Sequence, residues 1–143
     1  MVTYRDKRKI GDGGFGEVWL CERAEDGLPF AKKVLNEGAG VDAVTRFRRE
    51  VRILASLDHP NVVRVLAKGL EEPPYCYVMP LYKTSLRSEL PTLIGDETRI
   101  PGIFGALLDA IEYAHAEGVI HRDLKPENVL MNGDGDIVVS DFG

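Results

Sequence analysis

Two short segments near the end of the 143-residue chain, residues 121–128 and 141–143, carry side chains suited to chemistry on a hydroxyl group. Asp123 could orient a hydroxyl and accept its proton, as general bases do. Asn128 and Asp141 offer amide and carboxylate oxygens, which are ligands that Mg²⁺ accepts together with phosphate oxygens. These segments therefore predict a site in which a hydroxyl is activated beside a divalent cation.

A glycine-rich segment at residues 11–18 is suited to binding phosphate through the main chain, because no Cβ keeps the backbone N–H groups away. Taken alone, its spacing is as typical of a glycine-rich hairpin turn. A dinucleotide-binding fold would need a helix after the glycines, and a Walker A loop would need Lys-Ser or Lys-Thr after Gly16. A strand pattern and Glu17-Val18 follow instead. The segment therefore predicts a loop that joins two antiparallel strands and covers a nucleotide.

Lys33 is a candidate phosphate ligand because of its place in a strand pattern. Alternation puts Lys33 on the same side as Ala31 and opposite Lys32. The small Ala31 leaves room for a planar base, while the ammonium of Lys33 could reach its phosphates. An inward lysine needs a counter-charge, and Glu50 is the candidate. Taken alone, Glu50 is better explained as the solvent-side partner of a neighbouring arginine.

The elements that must position these residues are strands in the first third of the chain and mainly helices afterwards, judged by hydrophobic period. Alternation and short apolar runs predict strands near 9–10, 17–22, 28–35, 62–67, 75–79, 129–131 and 137–140, with a turn at Asp26-Gly27 between the second and the third. Three- and four-residue steps predict one helix from Asp42, as its N-cap, to about residue 57. A second helix is predicted over Ile103–Ala114, with Pro101 in its first turn and Gly118 after its end.

The composition is that of an ordinary globular domain, with 44% apolar and 29% charged residues, which excludes a disordered tail. The net charge of −5 comes without a basic stripe, so we expect no nucleic-acid partner. No stretch approaches ~18 apolar residues and the charged start lacks a signal-peptide pattern, so we expect no membrane segment and a cytoplasmic location. Cys21 and Cys76 lack metal-ligand spacing and are predicted to be free thiols.

Residues 132–136 resemble the opening of a calcium-binding loop. Such a loop needs glycine at its sixth position and glutamate at its twelfth, whereas this chain has Ile137 and Gly143 there. A hairpin turn is therefore predicted at this point.

In order along the chain, these motifs resemble the eukaryotic-type protein kinase family from Tyr4 to Gly143. The family pattern is a glycine loop GxGxxGxV, a strand lysine, a helix glutamate, HRDLKxxN and DFG, and all five motifs are present. The string DLKPEN at 123–128 resembles the serine/threonine branch. The resemblance implies an α+β, protein-kinase-like bilobal fold. Its N-lobe would be an antiparallel sheet with one helix at about 4–79, followed by a hinge at 80–82 and the start of a mainly helical C-lobe at 83–143.

The resemblance also implies a function, the transfer of the γ-phosphoryl group of Mg-ATP to serine or threonine hydroxyls of proteins. In this family the strand lysine holds the α- and β-phosphates and pairs with the helix glutamate. The loop aspartate positions the acceptor hydroxyl and the loop lysine steadies the γ-phosphate. The implied catalytic residues are Asp123, Lys125, Lys33 and Glu50, and the implied metal ligands are Asn128 and Asp141. The implied ATP-binding residues are Ile10, Gly11, Asp12, Gly13, Gly14, Phe15, Gly16, Glu17, Val18, Ala31, Lys33, Met79, Pro80 and Tyr82.

Two further residues, His121 and Pro80, are compatible with this resemblance. His121 resembles the packed histidine that stacks on Phe142 in the family's interior, which explains it better than a general-base role. Pro80 stands where the family often has an acidic residue, but only a carbonyl is needed there for the adenine amino group. Proline keeps its carbonyl, and Tyr82 supplies the N–H required two residues later.

The sequence stops at the DFG glycine, so we expect the chain to be the N-terminal part of a kinase domain and to be inactive by itself. The apolar face of Ile103–Ala114 would then be exposed, because the helices that normally cover it are missing. Two other functions stay open, an inactive kinase-derived binding module and a kinase-like small-molecule phosphotransferase.

Overall fold

The computed structural model describes residues 1–13, 16–133 and 135–142. The nucleotide contacts predicted for Gly14 and Phe15 lie outside these residues, as does the glycine of the predicted DFG motif. The chain divides into two compact units. The first consists of Met1–Arg52 and Val65–Leu81, and the second of Ile53–Arg64 and Tyr82–Gly143.

The first unit contains a five-stranded antiparallel sheet with the strand order β1-β2-β3-β5-β4. Its strands are β1 (Tyr4–Gly13), β2 (Gly16–Arg23), β3 (Pro29–Leu35), β4 (Ala67–Gly69) and β5 (Cys76–Pro80). The predicted turn between β2 and β3 is confirmed. Gly27 has a φ of +71°, and the Asp26 carboxylate accepts the N–H of Leu28 at 3.1 Å. This hairpin sets the register that places Lys33 opposite Val18.

Helix α1 (Val41–Ser56) buries one apolar face that includes Phe47, Val51 and Leu54. The prediction that Asp42 is its N-cap is wrong. The N–H of Val44 donates to the carbonyl of Gly40 at 3.1 Å, so the helix begins earlier and Asp42 lies in its first turn. The Asp42 carboxylate still favours the helix there, because the N-terminal end of the helix dipole is positive.

The strand predicted at 62–67 is wrong in position, since β4 begins at Ala67. Val62 instead makes an isolated parallel bridge with Val139, and the Val63 N–H donates to the Val139 carbonyl at 3.0 Å. Val62 and Val63 are both buried. Their apolar pattern therefore reflects core packing in the second unit, which a short apolar run does not distinguish from a strand.

The second unit has a three-stranded sheet of β6 (Thr84–Ser85), β7 (Val129–Met131) and β8 (Ile137–Val139), in the order β6-β7-β8. Its helices are α2 (Leu86–Leu93) and α3 (Ile100–Ala116), and a 3₁₀ turn covers Pro126–Asn128. Strand β6 and helix α2 were not predicted. Helix α2 is only two turns long and contains Pro91, which sequence analysis takes as a helix breaker.

Helix α3 is confirmed, with Pro101 in its first turn and Gly118, at a φ of +78°, after its end. Asp96 precedes it. The Thr98 hydroxyl and the N–H groups of residues 98 and 99 donate to the Asp96 carboxylate and lower the pKa of that group. No described helix is both long enough and apolar enough to cross a membrane.

The expectation that the Ile103–Ala114 face is exposed is wrong for its two ends. Ile103 and Ala114 are buried, Leu107 and Ile111 are half-buried, and α3 packs against β8 of the same unit. The apolar side chains of α3 that do reach solvent, Phe104 and Leu108, follow a different helical row. Phe104 and Leu108 are four residues apart and each follows a member of the first row, Ile103 or Leu107, by one residue, so they lie on a neighbouring strip of the helix surface.

The turn between β7 and β8 is the predicted hairpin and not a calcium loop. Asn132 donates its N–H to the Asp136 carbonyl at 3.1 Å and Met131 pairs with Ile137, while the central Asp134 lies outside the described residues. Cys21 and Cys76 are both free thiols, as predicted, and burial raises the pKa of each.

We expect Gly16→Ala to destabilise the first unit by about 1–3 kcal/mol, the cost of overpacking. A Cβ at residue 16 would lie 2.2 Å from the Val34 carbonyl oxygen, so the β2–β3 ladder would have to move apart. The measurement is the free energy of unfolding in urea. Gly13→Ala is the matched control, because a Cβ there meets no described atom within 4 Å. Equal losses in the two variants would contradict this packing argument.

Candidate functional site

The sheet of the first unit brings five of the predicted nucleotide-binding residues to one face. Cross-strand neighbours share a face. The register pairs Gly11 with Val18, Val18 with Lys33, and Ala31 with Met79. Lys33 and Ala31 are two residues apart and lie on that face, which we call the Lys33 face. Ala31 and Met79 are buried within it.

The opposite face of the glycine hairpin holds a polar network. Lys9 Nζ lies 2.6 Å from Asp12 Oδ1 and 3.3 Å from Glu17 Oε1, and the Trp19 indole N–H donates to Glu17 Oε2 at 3.0 Å. The side chains of Asp12 and Glu17 are thus engaged away from the Lys33 face. Only their main-chain groups are left to serve the predicted nucleotide contact.

Ile10 and Lys32 show how the alternation of the strands is used. Ile10 lies at an irregularity in β1 between Lys9 and Gly11 and is exposed. Such bulges re-aim side chains beside functional sites. Lys32 points to the face opposite Lys33, as predicted, and its Nζ lies 3.1 Å from Asp6 Oδ1. Lys32 is therefore paired within the sheet, whereas Lys33 belongs to the face with Ala31.

Glu50 lies on α1 and is half-buried, as is Lys33 on β3. Both belong to the first unit. Further along the chain, the residues predicted to contact adenine end β5 and follow it. Pro80 pairs with Phe30 at the end of β5, and Tyr82 is half-buried in the second unit. Burial raises the pKa of the Tyr82 hydroxyl, so this side chain stays neutral at pH 7.

In the second unit, His121 connects the loop before β7 with the end of β8. Its Nδ1 accepts the Asp123 N–H at 3.1 Å, so its Nε2 carries the proton and donates to the Ser140 carbonyl at 2.6 Å. The ring packs on Phe142 with centroids 4.6 Å apart, and both side chains are buried. The predicted packing of His121 is confirmed.

Asp123, Lys125 and Asn128 lie together in the same loop, with Asp123 and Lys125 exposed and Asn128 buried. Lys125 Nζ is 3.3 Å from Asp123 Oδ2, and Asn128 Nδ2 donates to the Asp123 carbonyl at 2.8 Å. The 3₁₀ turn closes this arrangement, because the Asn128 N–H donates to the Lys125 carbonyl at 2.9 Å. Asp123 itself is exposed, so its carboxylate is accessible to a substrate hydroxyl.

Two residues of this region, Arg122 and Asp141, have left-handed backbone conformations, with φ values of +71° and +57°. Left-handed geometry is unfavourable for residues other than glycine and persists where surrounding structure enforces it, often at functional sites. Here the residues on either side are fixed by hydrogen bonds, since His121 and Ser140 are joined to each other. The unfavourable backbone conformations therefore lie directly before Asp123 and at Asp141 itself.

The arrangement fits a divalent cation. The Asn128 amide nitrogen donates to the Asp123 carbonyl at 2.8 Å, so the amide oxygen is the atom of this side chain that could ligate a cation. Amide and carboxylate oxygens, the donors that Asn128 and Asp141 offer, are ligands that Mg²⁺ accepts. Asn128 and Asp141 are joined through Ser140, whose N–H donates to the Asn128 carbonyl at 2.8 Å. Sequence analysis missed Ser140, and only its position directly before Asp141 could have indicated it.

Gly11 and Gly13 fit a nucleotide for a different reason. A Cβ at Gly13 would meet no described atom within 4 Å, and one at Gly11 would meet only Val18 at 3.9 Å. The packing of the described residues therefore does not explain these two glycines. A phosphate that approaches the backbone closely does explain them.

Comparison with known proteins identifies relatives along the whole chain. The family model described as "Protein kinase domain" matches residues 4–143. CBL-interacting protein kinase 21 of Oryza sativa subsp. japonica is 37% identical, over all of this chain and 28% of the relative. Serine/threonine-protein kinase PknD of Chlamydia caviae is 34% identical, over all of this chain and 17% of the relative. CBL-interacting serine/threonine-protein kinase 1 of Arabidopsis thaliana is 34% identical, over all of this chain and 33% of the relative. The chain thus spans from 17% to 33% of the length of these three proteins.

We expect His121→Phe to destabilise the second unit by about 1–3 kcal/mol, the cost of an unsatisfied buried polar group. Phenylalanine can still pack on Phe142, but it leaves the Ser140 carbonyl and the Asp123 N–H without their partner. The measurement is the unfolding free energy in urea. His115→Phe, at an exposed position of α3, is the control and should change it little. A His121→Phe variant as stable as the wild type would contradict the role given to the two hydrogen bonds.

Proposed function

This chain belongs to the protein kinase family, and we propose that it carries the ATP-binding and catalytic-loop parts of a serine/threonine protein kinase. One observation carries the proposal: Asp123 is joined to Lys125 by an ion pair and to Asn128 by a hydrogen bond, and its carboxylate is exposed. The names of the relatives support the serine/threonine class. The reaction would consume Mg-ATP and phosphorylate a hydroxyl of a protein substrate in the cytoplasm.

We further propose an N-lobe at about 4–79, a hinge at 80–82 and C-lobe residues at 83–143. The division into compact units supports the hinge, because the second unit resumes at Tyr82. Residues 53–64 group with the second unit although they precede β4 in the chain. Their pairing with β8 through Asn61, Val62 and Val63 accounts for that grouping.

In this proposal the Lys33 face receives ATP. Ala31 and Val18 supply apolar contact for the base, and the main chain at Pro80 and Tyr82 binds its edge. The glycine loop from Gly11 onwards places N–H groups against the phosphates, helped by Ile10 and by residues 12–17. Lys33 neutralises the α- and β-phosphates and is held by Glu50, because a half-buried ammonium is most favourable beside a carboxylate.

The catalytic loop would then activate the acceptor. Asp123 accepts the proton of the substrate hydroxyl as that oxygen forms a bond to the γ-phosphorus and the bond to the ADP oxygen breaks. Lys125, which is 3.3 Å from the Asp123 carboxylate, would neutralise charge on the transferred phosphoryl group. Asn128 and Asp141 would hold Mg²⁺, which neutralises phosphate charge when bound. The protein contributes mainly placement and charge, because the phosphoryl transition state is loose.

Assays of turnover and of the phosphorylated product distinguish two other functions from this one. A kinase-derived binding module would bind nucleotide or protein without turnover, and a small-molecule phosphotransferase would label a metabolite instead of a peptide. The complete cluster around Asp123 argues against the first. The segment Lys125-Pro126-Glu127 resembles the pattern of protein kinases and argues against a small-molecule phosphotransferase.

We expect Asp123→Asn to lower kcat about 10²–10⁴-fold, the usual contribution of a general base. The amide keeps the shape of the side chain but accepts no proton, so nucleotide affinity should change little. The measurement is the transfer of labelled phosphate from ATP to a library of peptides that contain serine or threonine. The enzyme is the protein encoded by the reading frame that contains these residues. Asp136→Asn, in the exposed β7–β8 turn, is the control. An Asp123→Asn variant with wild-type kcat would show that the assigned role is wrong.

We expect Lys33→Met to weaken Mg-ATP binding and turnover while the fold persists, because methionine keeps the stem of the side chain and loses its charge. Glu50→Gln should give a smaller defect in the same direction. A double-mutant cycle on kcat/KM measures the coupling between Lys33 and Glu50. Lys32→Met is the control for the loss of a strand lysine. Strictly additive effects would contradict the proposed pair.

A further inference from the structure

Ser140 contacts three residues of the proposed catalytic site, Asn128, His121 and Asp141, through its main-chain and side-chain polar atoms. Its N–H donates to the Asn128 carbonyl at 2.8 Å, and its carbonyl accepts the His121 Nε2–H at 2.6 Å. Its hydroxyl lies 3.1 Å from the Asn128 carbonyl oxygen and 3.4 Å from Asp141 Oδ2. The side chain is 4% exposed, so water does not compete for these contacts.

The hydroxyl group has a single proton for these two acceptors. The Asn128 carbonyl already accepts a hydrogen bond from the Ser140 N–H. Asp141 Oδ2 belongs to a carboxylate, and hydrogen bonds to charged acceptors are stronger than those to neutral ones. A contact at Oδ2 restrains the rotation of the Asp141 carboxyl group about its last side-chain bond. It therefore influences the direction in which the second carboxylate oxygen points.

We propose that Ser140 is a positioning residue for the divalent cation. Its main chain and hydroxyl set the spacing between the segments that carry Asn128 and Asp141, and its hydroxyl orients the Asp141 carboxylate as a metal ligand. The inference rests on the proposed function, because it takes Asn128 and Asp141 as the ligands. It assigns no contact between Ser140 and the nucleotide or the substrate.

This role follows from how ligating carboxylates behave. A carboxylate that is free to rotate pays an entropic cost when a cation fixes it, whereas one already held by a hydrogen bond does not pay that cost again. Partners of this kind typically contribute about 10–100-fold to metal affinity. Ser140 is buried between the two proposed ligands, so its effect should appear in metal binding and not in metal-free nucleotide binding.

The test compares wild type with Ser140→Ala and Ser140→Thr. Mn²⁺ affinity is measured by electron paramagnetic resonance in the presence of ADP, and ADP affinity is measured separately in EDTA. We expect Ser140→Ala to weaken Mn²⁺ about tenfold with unchanged ADP affinity in EDTA, and Ser140→Thr, which keeps a hydroxyl, to restore most of the loss. Ser56→Ala is the matched control, since its hydroxyl also donates to a main-chain carbonyl, that of Ile53 at 2.6 Å.

The outcomes separate this inference from the proposed function. If the wild type binds no Mn²⁺ with ADP, the proposed function fails and the inference fails with it. If the wild type binds Mn²⁺ and Ser140→Ala binds it equally well, the proposed function stands and Ser140 is not a positioning residue. Equal losses of Mn²⁺ and metal-free ADP affinity would mean a general structural role and would also overturn the inference. If Ser140→Ala does not fold, Ser140→Cys replaces it, because the thiol is similar in size and a weak donor.

Discussion

The second unit depends on one buried imidazole that joins two chain segments through opposite nitrogens. His121 accepts the Asp123 N–H and donates to the Ser140 carbonyl, and its ring packs on Phe142. A buried polar group left without its partner costs about 1–3 kcal/mol, so a shift of either segment would leave one nitrogen of this buried ring without its partner. The loop that carries Asp123 is thereby held in register with the residues that follow β8. The same constraint maintains the unfavourable backbone angles of Arg122 and Asp141.

The first unit organises its residues by a different constraint, the two-residue period of an antiparallel sheet. Lys33, Ala31 and Val18 share a face because of β-strand register, and neighbouring Lys32 must take the other face, where Asp6 pairs with it. Two lysines adjacent in sequence therefore have separate tasks. Strand geometry alone separates them, with no need for a long-range contact.

The glycines of the hairpin show how fold and function can require the same residue type for different reasons. Gly16 is required by packing, because a Cβ there would meet the Val34 carbonyl. Gly11 and Gly13 have room for a Cβ among the described residues, so packing does not require glycine at these two positions. A loop with both kinds of glycine can be a stable hairpin and still leave its backbone accessible to phosphate.

The features that could be predicted from the sequence are those whose patterns depend on residues close together in the chain. The alternation around Lys33, the Asp26-Gly27 turn, the periodicity of α3 and the spacing from Asp123 to Asn128 each depend on near neighbours, and the structure agrees with them. The sequence also determined family membership, because several motifs occur in a fixed order. The start of α1 was wrong by two residues, since a helix start depends on which carbonyl accepts the first hydrogen bond, and here it is that of Gly40.

The remaining features depend on contacts between segments that are distant in sequence. Val62 and Val63 form core and not a strand because β8 is beside them, and the inward face of α3 is covered because the same strand lies against it. Ser140, which lies twelve positions after Asn128, joins Asn128 to Asp141. A contact between residues distant in sequence leaves no periodic or spacing signal in either segment. Its energy depends on burial and hydrogen-bond geometry, which exist only once the chain has folded.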